Sequence, residues 1–261
     1  GMYHSMHHAP PPDRLSTWHC LHTGLLHQPF SLISLDLDYL KKINEQIEVE
    51  QSEERKQYLL SKKEELDNNV IELLDKYNVK ATFFVVGNRV DRTPGQDNGA
   101  SAMVYAYENG NEIGIHGYTH QADYASCSDD IYEYEIYQTL NAIQARIPGY
   151  EVRLMRAVGG SISNERIVSN EFAVIDWSID TLDWTLRTPA GDAEAIEKIV
   201  NNALDGIEDG DIILMHDIYN NTYEATVILL ARLNEMGYNV VTVSELLGDN
   251  LQAGVLYESA P

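Results

Sequence analysis

The 261 residues carry 41 Asp and Glu against 18 Lys and Arg, a formal net charge of −23. That balance argues against a nucleic-acid partner, which needs clustered Lys and Arg to release phosphate counterions, and equally against an anionic membrane surface. At 44% hydrophobic and 23% charged the composition is that of a globular chain, long enough for one large domain, and no segment approaches the roughly 18 consecutive apolar residues of a transmembrane helix.

Residues 1–28 hold His4, His7, His8, His19, His22 and His27 and a Pro10–Pro12 run that excludes regular helix. No helix or strand register aligns these histidines, so the segment is expected to be an irregular leader. No basic stretch followed by an apolar run opens the sequence, from which a cytoplasmic location is expected; a cell-surface or secreted one stays open if the sequence is part of a longer chain. Cys20 and Cys127 have neither metal spacing nor the density of a disulfide framework, and are read as structural or incidental.

From Phe30 onward, short apolar runs rich in Val, Ile, Leu and Phe alternate with longer helical stretches. Strands are predicted at 31–37, 80–86, 111–115, 151–156, 172–177, 211–215 and 238–242, several of them unbroken apolar runs of the kind buried on both faces. Helices are predicted near 40–76, 98–109, 127–146, 162–169, 192–204 and 221–236. Lys41–Lys63 is read as a charged insertion forming a solvated helix or helical hairpin, and Asn221 or Thr222 is expected to cap the 221–236 helix, which Gly237 ends. Seven strands alternating with six or seven helices imply a parallel sheet, open or closed as a barrel. The catalytic domain is placed at 29–248, with 249–261 as a C-terminal tail.

Beyond the leader the only histidines are His116, His120 and His216. The first two stand four apart in H-G-Y-T-H directly after a strand, a spacing that puts both imidazoles on one face of a helical turn. His216 ends the most apolar strand. Asp36 and Asp38 lie at the tip of the first strand, in S-L-D-L-D-Y, where carboxylates are costly to desolvate unless they serve a charge or a metal. Period two points both to one side of the strand. Two histidines and one aspartate make a three-ligand open site for a catalytic divalent ion.

The stretches SLDLDY, NVKATFFVVGNRV, NGNEIGIHGYTH, RLMRAVGG, SIDTLDW, GDIILMHD and GYNVVTVSELL together resemble, in order and across about 30–248, the polysaccharide deacetylases (carbohydrate esterase family 4, the NodB-homology domain). With that resemblance the strands are expected to close as an irregular (β/α)7-type barrel with its active site at the C-terminal strand ends. The resemblance implies that Asp38, His116 and His120 hold one divalent metal, zinc first, with cobalt, nickel, manganese or iron fitting the same ligands. Asp36 would be the general base and His216 the general acid. Arg156 would orient the base, and Asp183 would pair with the acid histidine and favour its protonated form. Trp184 and Leu214 would wall a slot for the acetyl methyl group, and the Gly159 N–H would serve as an oxyanion donor. The substrate implied is an acetylated glycan or oligosaccharide. Oligomeric state is not legible.

Two departures bear on these roles. A leucine separates Asp36 from Asp38, where the family usually has adjacent aspartates, so which carboxylate meets the metal is left open. The third motif reads R-A-V-G-G rather than continuing with prolines and an aromatic ring, which opens the substrate question further. An O-acetyl ester, a non-glycan amide and a degenerate glycan-binding module are the alternatives. Asp180 and Trp177 are read as structural.

Overall fold

Side chains along a strand alternate between its two faces, and here the two faces meet different apolar surroundings. The computed structural model describes residues 30–34, 70–91, 99–217 and 219–261. The leader 1–28, Asp36, Asp38 and the insertion 41–63 lie outside the described residues. In β2 (Thr82–Val85), β4 (Leu154–Met155), β5 (Ala173–Ile175) and β7 (Ile212–Leu214), the residues Phe84, Leu154, Ala173, Ile175 and Ile212 pack together as one buried cluster. Their alternates, Phe83, Val85, Met155, Val174 and Ile213, pack into a larger outer cluster with helical side chains such as Ile136, Ile143, Ile199 and Leu229. The first cluster is the inside of a barrel and the second is the layer between barrel and helices.

Pairing fits this arrangement. The strands include β1 (Phe30–Ser34), β3 (Glu112–Ile115), β6 (Ile179–Asp180), β8 (Val240–Val241) and β9 (Leu256–Tyr257), and all strand pairs are parallel. The order among the described residues is β6-β7-β1-β2-β3-β4-β5-β9, with β8 also on β1. Residues 173–180 join the ends of that path: their first part pairs with β4 and their last with β7, and the Ser178 N–H donates to the Ile212 carbonyl between them. The Asp211–Ser259 bridge laces β9 to the same seam. The result is the expected parallel α/β fold.

Helices α1 (Gly87–Val90), α2 (Ala100–Glu108), α3 (Asp129–Arg146), α4 (Asn164–Val168), α5 (Ala193–Leu204) and α6 (Asn220–Met236) follow strands as crossovers. Helix α5 buries Ala195, Ile196, Ile199, Val200 and Ala203, a stripe at helical spacing, and Asp192 caps it by accepting the Glu194 and Ala195 N–H groups. Short α7 (Val243–Leu247) plugs the barrel's N-terminal end with Val243 and Leu247. Its first N–H groups donate to Thr82 Oγ1 and Glu112 Oε2. Among the described residues no helix is long and apolar enough to cross a membrane.

Two expectations are corrected here. Asn221 and Thr222 do not cap α6: Tyr219 occupies the cap with no side-chain bond. Asn221 instead accepts the Gly191 N–H and donates to Thr188 Oγ1, while Thr222 donates to Asp183. The segment 116–120 is not helical, and His120 has φ 60°.

Candidate active site

Continuing the inward register past each strand's C-terminal end locates the candidate residues. Two positions beyond Leu154 stands Arg156, and two beyond Ile175 stands Trp177. Beyond Gly114, whose added Cβ would fall 2.7 Å from the Phe84 ring, stands His116, and beyond Leu214 stands His216. Strand alternation alone gathers one arginine, one indole and two imidazoles at one end of the barrel.

His116 is 4% exposed, and its Nδ1 lies 2.9 Å from the Arg156 carbonyl oxygen. A carbonyl can only accept, so Nδ1 carries the proton and Nε2 keeps its lone pair for a metal. The His120 ring lies 5.0 Å from that of His116, inclined at 63°. The pair is therefore brought together by a left-handed turn, not by a turn of helix. That turn is held by Glu135 of α3, whose Oε2 accepts the N–H groups of Tyr118 and Thr119. Among the described residues no third His, Cys, Asp or Glu joins the pair. Asp38, the expected third ligand, and Asp36, the expected base, lie outside those residues. The donor chemistry of the two imidazoles fits a divalent ion of the zinc type.

Arg156 is 1% exposed. Its Nε donates to the Ile175 carbonyl and one terminal nitrogen, Nη2, to that of Asp176, each at 2.8 Å, and its guanidinium lies 4.5 Å from the Phe84 ring centre and 5.5 Å from that of Trp177. The cation is thereby fixed inside the barrel mouth. Trp177 packs against the inner cluster, in keeping with a structural role.

His216 and Asp183 form the other half. Asp183 is 0% exposed and accepts four hydrogen bonds: from His216 Nδ1 at 2.7 Å, from the His216 N–H at 2.6 Å, from the Trp184 N–H at 2.8 Å and from Thr222 Oγ1 at 2.9 Å. Such a cradle fixes the carboxylate's orientation, and it turns Nε2 of His216 away from Asp183. Leu214 is buried, whereas Trp184 is 43% exposed, with its Nε1 3.4 Å from Asp180 Oδ2. Asp180 also accepts the Leu182 N–H. Gly159 crests a turn at φ 61°, with nothing within 4 Å of where its Cβ would lie.

Sequence reasoning missed Glu135 and Asp176. Burial pushes the Asp176 carboxyl up, Arg156 opposes this, and its Oδ1 is buried without a hydrogen-bond partner.

The model of the polysaccharide deacetylase family matches residues 57–173. A peptidoglycan-N-acetylglucosamine deacetylase of Bacillus cereus is 32% identical over 187 residues, 68% of this chain and 80% of that one. Another enzyme of that description, from Listeria monocytogenes, is 33% identical over 188 residues, 72% of this chain; the alignment spans 37% of the relative's length. The structure of a family 4 acetyl xylan esterase from Clostridium thermocellum, in complex with a cobalt ion, superposes with a TM-score of 0.66 at 25% identity, covering 88% of this chain and all of that one. With that fold, this site and these relatives, the chain belongs to the polysaccharide deacetylase family.

Proposed function

We propose that this chain is a metal-dependent hydrolase that removes acetyl groups from an N-acetylated amino sugar in a polysaccharide or oligosaccharide. The observation that carries this reading is the shared barrel end. It holds an imidazole pair, the first ring anchored at Nδ1 by the Arg156 carbonyl, and a third imidazole seated on a buried carboxylate. The names of the Bacillus and Listeria relatives support the substrate class.

In this reading Asp38, His116 and His120 hold the ion, with zinc first and cobalt, nickel, manganese or iron accepted by the same donors. A divalent ion held there would supply Lewis acidity, lowering the pKa of water and polarising the acetyl carbonyl. Asp36 takes the proton of the attacking water, and Arg156 orients Asp36. The Gly159 N–H donates to the oxygen that gains charge. His216 delivers a proton from Nε2 to the leaving amine, which departs poorly without it, while Asp183 holds the ring at Nδ1. Leu214 and Trp184 flank the acetyl methyl group.

Metal content of the purified protein, followed by acetate release from acetylated chitooligosaccharides and peptidoglycan fragments, tests the reading. Near-stoichiometric metal with acetate release is expected. Asp36→Ala is expected to abolish turnover with metal retained, and His120→Ala to lose both; activity surviving in either variant would sink the assignment.

A further inference from the structure

The turn carrying His116 and His120 is built around an acid that the proposed reaction does not use. Glu135 sits on the second turn of α3, is 2% exposed, and directs both carboxylate oxygens at residues 118–119. Oε2 accepts the N–H of Tyr118 at 2.6 Å and that of Thr119 at 2.8 Å, and Oε1 accepts the Thr119 hydroxyl. Two consecutive N–H groups converging on one oxygen fix the planes of two successive peptide units. The next residue is His120, held at φ 60°, a left-handed conformation that costs a residue with a side chain about 1–2 kcal/mol. Such a conformation persists only where the surroundings over-determine it.

They do so here from three sides. From α1, the Gly87 N–H donates to the Gly117 carbonyl and the Asn88 N–H to that of Tyr118. From below, buried Tyr124 fills the space under Gly117, where an added Cβ would lie 2.2 Å from its hydroxyl and 3.0 Å from Glu135 Oε2. From α3 comes Glu135 itself, which bonds the peptide units 117–118 and 118–119 and, through Oε1, the hydroxyl of Thr119, the residue before His120.

We propose that Glu135 is the positioning residue of the metal-binding histidine pair: through the turn 117–120 it sets His120 against His116 before an ion arrives. The proposal rests on the metal-dependent reading above. A buried carboxylate is costly unless its oxygens are satisfied, and here the donors that satisfy it belong to the turn itself. The folding of α3 and the shape of the site are thus tied together by one side chain. Partners of this outer kind commonly change metal affinity by about 10–100-fold. A residue that merely fastened α3 to the sheet would act on stability and leave affinity unchanged.

Glu135→Gln separates the two. The amide is nearly isosteric, but it replaces one acceptor oxygen with a donor and removes the charge. On the full chain, zinc affinity is measured by competition with a chromophoric chelator, and the Tm of the metal-free protein is taken alongside. Exposed Glu133 on the same helix supplies the charge control, as Glu133→Gln. Glu135→Gln is expected to weaken zinc binding about 10–100-fold, to lower the metal-free Tm as well, and to speed amide exchange at Tyr118 and Thr119, whereas Glu133→Gln is expected to bind as wild type does. Thr119→Val, which removes only the hydroxyl donor, is expected to give a smaller loss of affinity, and it carries the test if Glu135→Gln does not fold. Wild-type zinc affinity in a folded Glu135→Gln protein, or in Thr119→Val if that variant stands in, overturns the proposal while the metal-dependent reading stands. A wild-type chain that takes up no zinc overturns both.

Discussion

Asp176 and Asp183 are carboxylates at the same end of the barrel, and their hydrogen-bonding surroundings differ. Asp183 accepts four hydrogen bonds, whereas Asp176 is half-buried beside Gly160 with one oxygen unmet. Burial holds its carboxyl above the usual range, so folding favours its protonated form. The stability this group contributes is present at acid pH and is lost as pH rises through its folded value. Asp176→Asn is therefore expected to raise Tm at neutral pH, with the gain vanishing below about pH 4, where the unfolded carboxyl is itself protonated; thermal melts across that range check it. If His216 is the acid of the proposed reaction, Asp183→Asn, which loosens the hold on its Nδ1, is expected to lower turnover by up to the about 10²–10⁴-fold that a general acid contributes, measured as acetate release. The histidines that set this site were legible because the sequence beyond the leader has only three. Glu135 was not: Asp129, Asp130, Glu133 and Glu135 all lie on one acidic helix, and nothing in their spacing tells which one the fold buries.

At the scale of the element, Gly114 shows how closely the barrel interior is filled. A Cβ there would lie 2.7 Å from Phe84 and 3.1 Å from the Leu154 carbonyl, across strands that cannot move apart singly. Gly114→Ala is expected to cost about 1–3 kcal/mol as overpacking, read as a lower denaturation midpoint at unchanged slope. The long apolar runs were legible as strands because burial on both faces leaves no alternation to mislead. Strands β6 and β9 escaped notice because two residues are too few to show a period, and only the partner strand makes them strands. Residues 249–261, expected as a tail, bring β9 to the open side of β5 and the Ala260 N–H to the Gly210 carbonyl. Their removal is expected to lower Tm and to promote aggregation through the bared β5 edge, seen by light scattering during the melt. The cap of α6 was misread for a chemical reason: Asn221 and Thr222 have the right side chains for a cap, but Thr188 and Asp183 claim them.

For the whole molecule, the charge of −23 works against compactness as well as against polyanionic partners. Self-repulsion is screened over about 10 Å at 0.1 M salt. The Tm is therefore expected to rise between low salt and physiological ionic strength, whereas a chain held mainly by surface ion pairs would lose stability. The order of pairing has a further consequence for how such a chain is made. The first strand sits at the centre of the path, yet it pairs with Ile212 and its neighbours and with Val240 and Val241, which leave the ribosome about 180 residues later or more. At about 5–20 residues per second, an emerging chain waits roughly 10–35 s before the first of those strands is available. Until then β1 is an apolar ribbon with one edge unmet, and the barrel becomes a barrel only once synthesis has passed its seventh strand.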